Sequence, residues 1–78
     1  MTTAVELSGR AKAMLRAVAA GRGELSGGRE PDLYVDGLPC CDQTVTHELV
    51  NAGLLRTHAR FGVRVGAELT DLGHAAIA

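Results

Sequence analysis

The chain reads as a single α+β domain spanning residues 1–78, with three helices and several short strands. Three observations predict this. Apolar residues recur at three- and four-residue spacing near the N-terminus, a Gly- and Pro-rich stretch runs from Gly21 to Pro39, and alternating segments between Leu55 and Leu69 are flanked by two helical patterns. A chain of 78 residues encloses one small core, which excludes two domains. One Phe, one Tyr and no Trp leave that core to Leu, Val, Ala and Met. A domain of this size buries only about 60% of the surface its unfolded chain exposes, so a homodimer or a protein partner is expected to help stabilise it.

Ser8 can cap a first helix over about Ser8 to Ala20, with Leu7, Ala11, Met14, Leu15 and Val18 on one stripe and Arg10, Lys12 and Arg16 largely away from it. Gly21 and Gly23 end it by tolerating left-handed backbone. Pro31 and Pro39 forbid a continuous helix in the next stretch, where Glu24-Leu25-Ser26 and Leu33-Tyr34-Val35 are candidate strands. Gly27-Gly28 is the expected tight turn between them, and Asp36-Gly37 closes the second.

Asp42, or Cys41 before it, can cap a second helix running to Ala52, with Val45, Leu49 and Ala52 on its inner face and Gln43, Thr44, His47 and Asn51 on much of the other. Gly53 terminates it. Leu55, Thr57 and Ala59 then alternate with Arg56, His58 and Arg60, and Val63, Val65, Ala67 and Leu69 alternate with Arg64, Gly66 and Glu68. With a turn at Phe61-Gly62, this predicts a hairpin with one apolar face. Thr70 caps a last helix from Asp71 to about Ile77, whose Leu72, Ala75, Ala76 and Ile77 can close the core or meet a second subunit.

Helix, Gly stop, hairpin and capped helix over residues 41–75, carried by "ELVNAGLL" and "AELTDLG", resemble the second half of a winged helix-turn-helix domain of the small bacterial or phage regulator type. The resemblance implies a C-terminal β-hairpin wing and one or two short strands before a recognition helix over Asp42 to Ala52. It further implies a sequence-specific transcription regulator that binds double-stranded DNA. Gln43, Thr44, His47 and Asn51 would then face base edges, because Gln and Asn pair bidentately with adenine while Thr and His offer single donors or acceptors. Arg60 and Arg64 would serve as wing residues, with Arg56 beside them, and Arg10 or Arg16 would hold the phosphate backbone. The chain departs from the family pattern in two ways: no short second helix is evident before Pro39, and the recognition helix carries Asp42 and Glu48 with no Lys or Arg.

Charge frames the alternative. The formal net charge of −1 argues against gripping nucleic acid by bulk charge. The distribution is polarised, however, with Arg10, Lys12, Arg16 and Arg22 early, Arg56, Arg60 and Arg64 late, and Glu24, Glu30, Asp32, Asp36, Asp42 and Glu48 between. An accessory protein-interaction module whose acidic middle faces a basic partner is the competing expectation.

No apolar run approaches the roughly 20 residues that cross a bilayer, and the N-terminus has no secretory-signal pattern, so a cytoplasmic location is expected. Adjacent Cys40 and Cys41 would form a strained ring if paired, and they read as structural thiols. Zinc on Cys40, Cys41 and His47, completed by His58 or His74, is disfavoured because adjacent cysteines rarely point at one ion. No cofactor and no enzyme activity are expected: Cys40 or Cys41 with His47 lacks an orienting group, Asp32, Asp36 and Asp42 suit turns and caps, and no phosphate-binding Gly loop is present.

Overall fold

In the computed structural model of the protein, residues 7–40, 42–60 and 62–78 are described. The elements are α1 (Gly9–Ala19), β1 (Gly23–Ser26), β2 (Leu33–Val35), β3 (Leu38–Pro39), α2 (Gln43–Asn51), β4 (Leu55–Arg56), β5 (Arg64–Gly66), β6 (Glu68–Leu69) and α3 (Asp71–Ile77). The fold is α+β, with three helices and antiparallel strands among the described residues.

The Ser8 hydroxyl accepts from the Ala11 amide at 3.1 Å and starts α1. Its stripe forms as the spacing predicts: Ala11, Met14, Leu15 and Val18 are buried and Leu7 packs against them, while Arg10 and Arg16 are exposed. Gly21, at φ 81, lets the chain turn back from the helix end. β1 then passes under α1 so closely that a Cβ on Gly23 would lie 2.6 Å from Val18 Cγ2.

The strands form two ladders, a four-stranded sheet in the order β3-β2-β1-β5 and a separate β4-β6 pair. β1 and β2 pair as expected, with Leu25 opposite Leu33. The turn between them differs from the expected Gly27-Gly28 tight turn. The chain loops over 27–32, closed where the Ser26 amide donates to the Asp32 carbonyl and the Asp32 amide donates to the Ser26 hydroxyl. β3 was not foreseen. It arises because Asp36 (φ 55) and Gly37 (φ 82) both take left-handed backbone in a two-residue loop, which matches the twist of paired strands and sets Val35 opposite Leu38.

In α2 the Asp42 carboxylate accepts from the Val45 amide at 3.1 Å. The inner face is rotated from the expected Val45, Leu49 and Ala52. Thr46 and Leu49 are fully buried, and Val45, Val50 and Ala52 are half-buried at the core margin. A threonine can enter the core because its hydroxyl donates to the Asp42 carbonyl at 3.4 Å. Cys41, the other candidate cap, lies outside the described residues.

Gly53, at φ 78, turns the chain out of α2 into β4. The expected hairpin is paired only at its foot, Leu55 opposite Leu69 and Arg56 opposite Glu68. Residues 57–60 form no strand, and β5 pairs instead with β1, Leu25 opposite Val65. The expected apolar face is therefore split between two ladders, and Val63 is exposed. Of the predicted turn, Phe61 lies outside the described residues and Gly62 has φ 81.

α3 is stapled to the Gly53-Leu54 corner. Its cap, Thr70, accepts from the Gly73 amide through its hydroxyl, donates that hydroxyl to the Gly53 carbonyl, and donates its own amide to the Leu54 carbonyl. Ala76 and Ile77 pack on the core as expected, whereas Leu72 does not close it and is 63% exposed. Gly73 is the buried residue of this helix, because only a residue without Cβ can lie against the Leu54 carbonyl.

Candidate recognition surface

The outward stripe of α2 is made by Thr44, His47, Glu48 and Asn51, at three- and four-residue spacing. Thr44, Glu48 and Asn51 are exposed and His47 is half-buried. Gln43 is not part of this stripe. Its carbonyl oxygen accepts from the Leu33 amide at 2.9 Å, and its amide nitrogen donates to the carbonyls of Leu33 and Cys40 at 3.0 and 2.8 Å. The side chain thus occupies the place of a further β3 residue, satisfies the β2 edge and fastens the start of α2 to the sheet. Both ends of the amide are engaged, so bidentate pairing with adenine would require breaking this attachment.

His47 faces the β1–β2 connection. Its Nε2 lies 3.1 Å from Asp32 Oδ1 and its Nδ1 lies 3.9 Å from Glu30 Oε2. Because the two ring nitrogens point in different directions, these carboxylates and the imidazole do not converge on one ion. Among the described residues no group of three or more His, Cys, Asp or Glu side chains could hold a metal. Cys40 is a half-buried free thiol packed against the core.

Most of the nominated arginines are held by this chain's own carboxylates. Arg10 Nη1 donates to Asp42 Oδ2 at 2.9 Å, and the Val45 amide together with Arg10 holds the Asp42 carboxyl below its ordinary pKa. Arg56 Nε donates to Glu68 Oε1 at 3.1 Å, and His58 Nε2 lies 3.3 Å from the same oxygen. The hydrogen bond from Arg56 first, with His58 beside it, lowers the Glu68 pKa. Arg64 Nε lies 3.1 Å from Glu24 Oε1, and its guanidinium stacks 4.3 Å from the centre of the Tyr34 ring. Arg16 and Arg60 are exposed and make no ion pair among the described residues. No family model, no curated protein and no solved structure matches the chain.

Two features escaped sequence reasoning. The 27–32 connection touches both neighbouring regions: Asp32 reaches His47 of α2, and the Gly27 amide donates to the Val63 carbonyl beside the hairpin tip. It therefore brings Glu30 and Asp32 beside His47 on the helix stripe. The second feature is the Arg22–Asp36 pair, in which Nε and Nη2 grip both carboxylate oxygens and lower the Asp36 pKa. The first depends on long-range pairing that leaves no local signal. The second was foreshadowed only by the Asp-Gly turn.

Proposed function

We propose that the chain is a small winged-helix-like interaction module in which the outward face of α2 and the adjoining 27–32 connection hold a basic segment of a protein partner. Support for the winged-helix arrangement comes from the order of α2, the Gly53 corner, the β4-β6 ladder and α3. The observation that carries the choice of partner is electrostatic. The α2 stripe has no Lys or Arg, is bordered by Glu30 and Asp32, and three of the five arginines nominated for phosphate contact already bind carboxylates of this chain. Phosphates would have to displace those carboxylates and approach Glu48, whereas a Lys- or Arg-bearing segment meets complementary charge.

The test is a titration of isotope-labelled protein followed by NMR, with a Lys/Arg-rich peptide in one series and random-sequence duplex DNA in the other, at low salt. A saturable one-to-one response centred on Thr44, His47, Glu48 and Asn51 is expected with the peptide. It should weaken in D32N/E48Q and persist in D71N, which removes a carboxylate from α3. Duplex binding without a peptide response would overturn the proposal.

Sequence-specific DNA reading is the second proposal, favoured by one observation: Lys12, Arg16, Arg29 and Arg60 make no ion pair among the described residues, and Thr44 and Asn51 face outward. A DNA reader would shift duplex DNA at low salt. R16A/R60A would weaken binding to every sequence, while N51A would alter sequence preference.

A further inference from the structure

The four-stranded sheet ends at β3 on one side and at β5 on the other, and the two edges are built differently. At β3 the Cys40 amide donates inward to the Leu33 carbonyl, so the backbone of the preceding residue points outward, and that residue is Pro39, which has no N–H to offer. The β3 edge is blunted. At β5 the Ala67 amide donates to the Gly23 carbonyl, and the Val63 carbonyl accepts from the Gly27 amide. Residues 63, 65 and 67 therefore direct their backbone groups to β1. The N–H and C=O of Arg64 and Gly66 point away from the sheet, and both residues are exposed, with no outward backbone partner among the described residues.

The chain's own hairpin does not close this edge. Extending the Arg56–Glu68 rung would set His58 opposite Gly66 and Arg60 opposite Arg64. The tip imposes another register, because the Val63 amide donates to the Arg60 carbonyl and so pairs 60 with 63. With β5 in regular pairing with β1, a bulge in β5 cannot absorb the mismatch, and residues 57–60 form no strand. The Arg64 side chain gives no cover either, since it leans back over its own sheet to Glu24 and the Tyr34 ring.

We infer that β5 pairs antiparallel with β5 of a second copy of this chain, about a two-fold axis at Val65, joining two four-stranded sheets into one. In that register Arg64 and Gly66 of opposite copies become hydrogen-bonded partners, so every outward N–H meets an outward C=O. On the outer face each Arg64 falls opposite a glycine rather than a like charge, and a Cβ built on Gly66 would meet nothing within 4 Å, so the space beside it is open. On the core-facing side Val63, 47% exposed, falls opposite Ala67 of the second copy, which covers an apolar side chain that its own chain leaves in water. The paired stretch stops at the Gly62 turn, short of the position that Arg56 occupies opposite Glu68. No residue of the α2 stripe takes part, so the dimer stands independently of what that stripe binds.

The test is amide exchange with solvent, followed by NMR from about 10 µM to about 1 mM protein, a range suited to the weak association that a short interface gives. The Arg64 and Gly66 amides should slow at least about threefold over that range, while the Val65 amide, bonded to β1, stays protected throughout. Gly66→Pro removes only an outward N–H and should abolish the concentration dependence at Arg64 while leaving Val65 protected. In the parent protein, a mixture of labelled and unlabelled chains should give intermolecular NOEs between the two copies of Val65, a readout that does not depend on how the variant folds. Fast exchange at Arg64 and Gly66 at every concentration, slow exchange at every concentration because residues 57–60 have closed on β5, a dependence that survives Gly66→Pro, or absence of those NOEs at about 1 mM would each overturn the inference.

Discussion

Replacing Gly73 with Ala tests the close approach of α3 to the Gly53-Leu54 corner. In an exposed helix interior this change stabilises by about 1 kcal/mol, because Gly gives up more backbone entropy than Ala. Here the new Cβ would fall inside the contact surface of the Leu54 carbonyl oxygen and 3.3 Å from Leu69 Cβ. The carbonyl cannot swing away without cost, since it accepts the Thr70 amide at 3.1 Å. Relief requires α3 to lift from the Gly53-Leu54 corner. Overpacking of this kind costs about 1–3 kcal/mol. Weakening the two Thr70 bonds adds about 1 kcal/mol each. After the propensity gain, the net loss is about 2–4 kcal/mol. With unfolding entropy of about 2.1 cal/mol/K per residue, a 78-residue domain loses roughly 6 °C per kcal/mol, so Tm should fall by about 12–24 °C. Thermal and urea unfolding followed by circular dichroism would measure this, with Gly9→Ala as the control because nothing lies within 4 Å of the place its new methyl group would take. A Tm equal to or above that of the parent protein would refute the stapled corner.

Thr70→Val keeps the shape but removes both hydroxyl bonds, and should cost about 1–2 kcal/mol, read as a lower urea midpoint with unchanged slope. Gln43→Leu strands the Leu33 amide and the Cys40 carbonyl. It should destabilise by about 2–3 kcal/mol and accelerate amide exchange at Leu33, and unchanged exchange there would contradict the strand-completing role. The carboxyls of Asp36, Asp42 and Glu68 all have lowered folded-state pKa values, so the stability they contribute is present above their unfolded pKa and is lost as pH falls through the folded one. The unfolding midpoint should therefore drop on acidification below about pH 4, and a D36N/D42N variant should show a shallower drop.

Local chemistry made much of the fold legible. Ser8, Asp42 and Thr70 each cap the helix that follows them, and the α1 stripe from Leu7 to Val18 is buried as its spacing predicts. What sequence reasoning missed is long-range. The alternation from Leu55 to Leu69 was consistent with one continuous hairpin, but β1 offered β5 an edge with Leu25 facing Val65, leaving β4 only β6. The site was less legible than the fold. Gln43 and His47 have similar positions on a helical wheel to Thr44 and Asn51. Their partners come from β2 and the 27–32 connection, which no spacing on α2 encodes.

By itself, the order of residues determined which segments became helix or strand, where the helices were capped and where the chain had to turn, because those outcomes depend on groups only a few bonds apart. Only the tertiary structure decided which strand edges paired, which face of α2 entered the core and which arginines met carboxylates. Those outcomes depend on partners brought together from across the chain: Arg10 with Asp42, Arg64 with Glu24, Arg56 with Glu68. A charge gains or loses its availability to a partner molecule through neighbours within a few ångströms, and sequence distance does not report them.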